Sequence, residues 1–338
     1  MSRLNIIGLT ILGLILLTLP LYVSSYMTQI AITTITYSML GLAFGLGMRV
    51  GLPRLDLAAW WGIGGYTTAL LMKMGISFWA TVVIGGLIAV VLGGLIFSLA
   101  LPRGMIAFFT FCMVLSMAVY QMFGSIKIFG GWGGTTGVPA PTLFSIVIDT
   151  QREIYYLGLF FLVITVVVYY LLYHSRIGRA WNSITGGLKL ARSVGVDVVR
   201  YRLANVLIGN FFIAMAGSFF VSYYRAAIPS IFSFQAGVNT IIYLFIGGFG
   251  HSLIGPILGA VIATFIPEYL RFAQTLQSIV AAIIVILILM FLPFGIMGII
   301  DRWLMPWLYK KRWYQQLNAW SLNRPPDSGS ELDGAARK

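Results

Sequence analysis

The stretch YHSRIGRAWNSITGGLKLARSVGVDVVRYR, residues 173–202, is the longest polar interruption in a chain otherwise built of apolar runs. It carries six of the 22 Lys and Arg residues. The runs on either side of it, 154–173 and 203–224, are each close to the roughly 20 residues an apolar helix needs to cross a bilayer. A basic loop of this length between two such runs reads as a cytoplasmic segment that a soluble partner can grip.

Working outward, apolar runs recur at 4–22, 30–48, 57–72, 78–101, 105–123, 154–173, 203–224, 236–250, 253–270 and 276–300, which predicts an all-α polytopic membrane protein of about ten transmembrane helices. The two shortest runs are open to a re-entrant reading. Of the 338 residues, 59% are hydrophobic and 9% charged, where a soluble domain carries about a quarter charged. The first run is too long for the apolar core of a signal peptide, about 7–15 residues, and is read as a retained span. With the N-terminus inside, 17 Lys and Arg fall on the cytoplasmic side and 5 on the other, a bias that supports both the span count and a cytoplasmic N- and C-terminus. The same bias accounts for the net charge of +13 without invoking nucleic acid. Residues 1–305 are therefore expected to form one transmembrane domain with a cytoplasmic loop at 174–202, and residues 306–338 a cytoplasmic, partly disordered tail.

Two short runs stand out. LAAWWGIGGYTTALLM at 57–72 and AGVNTIIYLFIGGFG at 236–250 are glycine-rich, run in opposite directions on this topology, and are each second in a set of four spans (30–123 and 203–300). Short, glycine-interrupted segments at matching places of two inverted repeats point to a transporter's substrate route; glycines that serve only close helix packing are the alternative. On the first reading Asp56, Trp60, Trp61, Gly64, Gly65, Tyr243, Gly247 and Gly248 line the pathway. For Asp56 the competing role is a helix-start carboxylate favoured by the dipole, with a pair to Arg54. For Trp60 and Trp61 it is interfacial anchoring. Glu268 and Arg271, three apart, suit a surface ion pair.

Reactive chemistry is sparse. GGWGGTTG at 130–137 lacks the lysine of a phosphate loop and reads as an outer loop. The two histidines, His174 and His251, sit at span ends without ligand spacing, and the single cysteine, Cys112, lies in an apolar run, so neither metal nor cofactor is expected. No paired carboxylates or nucleophile elbow suggest an enzyme.

Within the central loop, 178–184 either continues the sixth span or starts a short helix, Gly186-Gly187 is a break, and 188–194 suits about two more helical turns before Gly195. There Leu188, Ala191 and Val194 fall near one face, and Lys189 and Arg192 on another. Such a helix either rests on anionic headgroups or fills a partner's groove.

The segments IGRAWNSITGGLKLARSVGV (177–196), AMAGSFFVSYYRAAIP (214–229), GIGGYTTALL (62–71), GGTTGVP (133–139), LFIGGFGHSLIGPILGAVI (244–262) and LPFGIMGI (292–299) resemble the permease subunits of branched-chain amino-acid (LIV-type) ABC importers. The similarity runs in order from about residue 37 to 301 and looks most like the longer of the two permeases. The resemblance implies a second permease subunit, two cytoplasmic ATP-binding subunits that hydrolyse ATP, an extracytoplasmic solute-binding protein, and residence in a bacterial inner membrane. It makes the loop's short helix a coupling helix, with Gly178, Arg179, Ala180, Ile184, Ala191, Arg192 and Gly195 as the ATPase-coupling residues. Two departures stand out. Thr185, Gly186, Gly187, Leu188 and Arg192 replace the usual acidic positions, so the coupling helix is basic and implies an acidic partner groove. LPRLDLAAWW at 52–61 replaces a glycine- and serine-rich opening, which leaves the solute open between branched-chain amino acids and small polar solutes such as urea or amides. The rival reading is a stand-alone secondary transporter or channel, which would be expected to carry acids or histidines at span centres.

Overall fold

Several of the described helices begin where a polar side chain satisfies free backbone groups of the helix terminus. Ser24 opens the first helix by accepting from the Met27 amide, Asp197 caps another through the Arg200 amide, and Ser233 a third through the Ala236 amide. Glu153 reaches back to the amides of Asp149 and Thr150. The protein, seen here in a computed structural model, is described over residues 22–52, 54–143, 146–248 and 254–269, with isolated positions at 20, 290, 295 and 296.

The helices are α1 (Ser25–Met48), α2 (Leu57–Lys73), α3 (Phe78–Ala100), α4 (Met105–Ser125), α5 (Gln151–His174), α6 (Arg176–Gly186), α7 (Leu188–Ser193), α8 (Val198–Tyr224), α9 (Phe234–Gly247) and α10 (Ile254–Tyr269). The second to ninth apolar runs thus each become a helix. The first and tenth runs, and the tail, lie outside the described residues. Among the described residues, five helices are long and apolar enough to cross a membrane: α1, α3 with its closing turn to Arg103, α4, α5 and α8. The shorter α2 spans about 25 Å at 1.5 Å per residue.

Burial sorts these helices. α1 and α8 are mostly enclosed, whereas α3 leaves Val83, Leu87, Val91, Leu95 and Leu99 exposed at a helical spacing of four, and α5 leaves Phe160, Val163, Val167 and Leu171. Uniformly aliphatic stripes of this kind suit lipid, since hydrocarbon can satisfy no polar group.

α8 is the central post. α2 packs on it along its length, with α3 and α1 alongside. The closest approach has no side chain in it: a Cβ at Gly64 of α2 would drive into the Ala214 carbonyl of α8, and one at Gly217 into the Trp61 carbonyl. The Ser218 hydroxyl donates to the carbonyls of Gly64 (3.2 Å) and Ala214 (3.1 Å), and Gly85 of α3 faces Gly64 from the other side. Small residues that let backbones touch, joined by a hydroxyl, supply the association that hydrophobicity cannot supply in a membrane.

Near the C-terminal end of α8, the glycine-rich 130–137 stretch forms short turns and the two-residue strand β1 (Thr135–Thr136). After β2 (Thr142–Leu143) and β3 (Ile146–Val147), which pair with each other, β4 (Ala226–Ala227) returns after α8 to pair antiparallel with β1. Arg225, in a left-handed conformation between α8 and β4, pairs with Asp149 at 2.5 Å.

Gly64→Val or Gly217→Val is expected to cost on the order of 3 kcal/mol through forced separation of α2 and α8. The check is the thermal stability of the purified full chain in mild detergent, with Gly75→Val, where a side chain meets open space although the turn is strained, as the milder comparison.

Candidate functional site

The short helix α2 begins at a buried polar knot. Arg54 and Asp56 form a bidentate ion pair, Nε to Oδ1 at 2.9 Å and Nη2 to Oδ2 at 2.7 Å, with side chains 1% and 0% exposed. Every arm of the guanidinium is used: Nη2 also donates to the Asn210 side chain of α8, and Nη1 reaches the Val206 carbonyl at 3.5 Å. Asp56 in turn accepts from the Trp60 indole at 2.5 Å. Two charges this deep persist only when paired and fully hydrogen-bonded, and here they are. α4 joins through Ser116, whose hydroxyl donates to the Leu55 carbonyl at 2.8 Å, and through Cys112, which lies beside Asp56. Gly47, Gly209 and Gly93 leave the room that Arg54 and Asn210 occupy.

This geometry settles the local alternatives. Asp56 stands at the start of α2, but its carboxylate makes no capping bond to the helix amides and is spent on Arg54 and Trp60. Arg54 is enclosed rather than displayed on the cytoplasmic surface. Trp60 and Trp61 are buried, Trp60 edge-on to Phe97 and Trp61 edge-on to Phe220 and Phe232, which excludes interfacial anchoring. Gly65 lies against Val221 and Phe232, and Gly64 against α8. α2 is one continuous helix through its glycines, so they serve close approach and not unwinding.

The second short run differs. After β4 the chain does not start a helix at the C-terminal end of α8. The turn Pro229–Phe232 first descends along Trp61, Gly62, Gly65 and Tyr66, and α9 begins beside the opening turn of α2, with Gly237 on Ala58. α9 is 14 residues long, about 21 Å, and Gly248, at φ +96°, ends it. Gly247 packs on the backbone of Gly255 and Gly259 in α10. Tyr243 lies within α9. His251 and Arg271 fall outside the described residues, and with Arg271 the suggested pair to Glu268.

In the basic loop, residues 174–202, α6 and α7 fold back as two short helices broken at Gly187. The expected break at Gly186-Gly187 is therefore one residue tighter, and α7 ends one residue before Val194. Gly178 closes on the carbonyls of Leu172 and Tyr173, where a side chain would not fit. Ile184, Ala191 and Val198 form a small buried cluster that pins α7 to α6 and to the start of α8. The expected apolar face is split by this. Ala191 turns inward, while Leu188, Leu190 (68% exposed) and Val194 (69%) remain outside with Lys189 and Arg192. Arg179 is exposed, Ala180 half-buried, and Gly195 makes the turn into α8 at φ +81°. Sequence reasoning offered Arg54 as a partner of Asp56 but missed Asn210 and Ser116, which left no readable signal.

A family model described as branched-chain amino acid transport system / permease component matches residues 26–292. The chain belongs to this family. It is 27% identical over 311 residues to the high-affinity branched-chain amino acid transport system permease protein LivM of Escherichia coli K12, covering 82% of this chain and 71% of that one. LivM of Salmonella typhimurium is 26% identical over the same extent. The permease protein LivH of Salmonella typhimurium is 27% identical over 158 residues, 46% of this chain and 50% of that one. No solved structure matches the chain. The protein is accordingly a multi-pass membrane permease subunit of an ABC importer, more broadly similar to the LivM type than to the LivH type.

Removing one partner of the buried pair leaves an uncompensated charge, so Arg54→Met alone should cost about 3–5 kcal/mol, and Arg54→Met with Asp56→Leu should recover most of it. Thermal unfolding of the single and double variants in detergent checks this.

Proposed function

We propose that this chain is the translocating permease of an ATP-driven importer for branched-chain amino acids, or for a related small polar solute such as urea or an amide. It lies in a bacterial inner membrane with both termini cytoplasmic. It pairs with a second permease subunit, as the similarity to both LivM and LivH supports. ATP-binding subunits act on it from the cytoplasm, and a solute-binding protein delivers solute from the opposite side.

The observation that carries this reading is the outward face of α7. On a permease of this family, a short helix pinned at its back by Ala191 presents Leu188, Leu190 and Val194 among Lys189 and Arg192. Apolar anchors inside a basic rim suit a groove lined by apolar and acidic side chains in the ATPase. Arg179, on the exposed side of α6, adds to the same charge.

The route runs beside the two short helices, α2 with Asp56, Trp60, Trp61, Gly64 and Gly65, and α9 with Tyr243, Gly247 and Gly248. In the conformation described, the α2 residues are shut inside the packing on α8, so this wall meets solute only after α2 moves. The discontinuous approach to α9 supports the same placement, because non-helical backbone at membrane depth persists only where it is buried in protein or lines a cavity.

Purification of the full chain from its own cells in mild detergent should bring with it an ATP-binding subunit and a second permease. A chain that purifies alone and moves leucine into liposomes would overturn the reading. Reversing charge with Arg179→Glu and Arg192→Glu should lower uptake of radiolabelled leucine about tenfold or more, the scale of a coupling free energy, with membrane insertion unchanged. Gly195→Ala, which forces a side chain into a left-handed turn, should act in the same direction.

A further inference from the structure

We propose that the link between α1 and α2, through its described residues 49–52 and 54–56, acts as a strap that carries motion of the cytoplasmic loop to α2 and α4, with the Arg54–Asp56 pair as its inner anchor. The inference rests on the reading of the loop as the ATPase contact and adds the path by which the push reaches the membrane helices.

The outer end of the strap is held by the loop on three sides. From α6, the Thr185 hydroxyl donates to the Arg49 carbonyl. From the start of α8, Arg202 Nε donates to the Val50 carbonyl at 3.2 Å. From the end of α5, Tyr173 and Tyr169 receive the Arg49 guanidinium over their rings at 4.4 and 5.2 Å, and Arg49 Nε donates to the Tyr169 hydroxyl at 2.6 Å. Trp181 of α6 closes the arrangement by donating to the Tyr201 carbonyl at 3.0 Å, so α6 and the start of α8 move as one body.

The strap has little slack. Val50 and Leu52 are buried, and the amides of Val50 and Leu52 both bond to the Gly47 carbonyl. Two residues beyond Leu52, Arg54 enters the buried knot. There the strap touches α8 through Asn210 and Val206, α2 through Trp60, and α4 through the Ser116 bond to the Leu55 carbonyl. A pull on Arg49 and Val50 therefore arrives at the first turn of α2 and at the middle of α4.

The chemistry of the anchor fits this role better than a role in stability. A buried ion pair contributes little stability over well-packed apolar residues, because desolvation offsets its attraction. What a bidentate guanidinium–carboxylate pair does supply is fixed direction. Asp56 cannot shift without carrying Arg54 and Trp60, and a small displacement at the loop is transmitted rather than absorbed by soft packing.

Cys112, the chain's only cysteine, gives a native reporter, since it is buried beside Asp56. Its alkylation by N-ethylmaleimide would be followed by mass spectrometry of the full chain, in membranes of its own host, with and without AMP-PNP. Nucleotide is expected to change the rate at least about fivefold, the lower end of allosteric coupling. In Thr185→Val/Arg202→Met, where the bonds of α6 and the start of α8 to the strap are removed and only the α5 contact of Arg49 remains, the ratio should fall to near one at unchanged thermal stability. Arg202→Lys, which keeps a donor for the Val50 carbonyl, should retain the response. A wild-type rate indifferent to nucleotide, or a nucleotide response in the released variant equal to that of the wild type, overturns the strap. Failure of the loop reading is distinct: the Arg179→Glu/Arg192→Glu variant would then keep both its leucine uptake and its Cys112 response.

Discussion

The structure depends on two helices meeting backbone to backbone. In water α2 and α8 would be driven together by their apolar faces, but in lipid those faces gain nothing by leaving hydrocarbon. Contact must come from packing and from hydrogen bonds. Gly64 against Ala214, Gly217 against Trp61, and the Ser218 hydroxyl shared between two carbonyls provide both. Once α2 is fixed on α8, α3 follows through Gly85 and through Gly93, which accommodates Asn210. The lipid-facing stripes of α3 and α5 then fall on the outside by default.

The buried knot at Arg54 and Asp56 is the polar counterpart of that crossing. It joins α2, α4, α8 and the strap without leaving a charge or a guanidinium arm unused, while Asn210 Nδ2 is left without a protein partner. The knot lies between the basic loop, proposed to meet the ATPase, and the helix proposed to wall the solute route. A fixed, directional contact there links the two more tightly than apolar packing would, because dispersion contacts are individually small and tolerate sliding.

The two glycine-rich runs turn out to be unlike each other. α2 uses its glycines to press its backbone on α8 and stays a continuous helix. The other run is reached by a chain that folds inward from β4 through Pro229–Phe232 and ends at Gly248 against α10. The same composition thus serves close packing in one half and a broken path in the other.

The sequence by itself determined the class of the protein, the place of every described membrane helix, and the basic loop with its two short helices. These follow from local quantities: the length of an apolar run needed to cross a bilayer, the polar residues that cap it, and the siting of Lys and Arg. The motifs around 62–71, 177–196 and 244–262 also carried the family. Tertiary structure alone decided what the glycines and the isolated charges do. Gly64 serves packing because Ala214, 150 positions away, lies across from it. Asp56 stands at the helix start without capping it, because its carboxylate is taken up by Arg54 and Trp60 in a pocket completed by Asn210. Ala191 turns inward, splitting the apolar stripe of α7, because Ile184 and Val198 are brought behind it. A glycine permits close approach and a carboxylate needs a partner, but which neighbour answers is set by the packing of distant helices, and no local pattern records it.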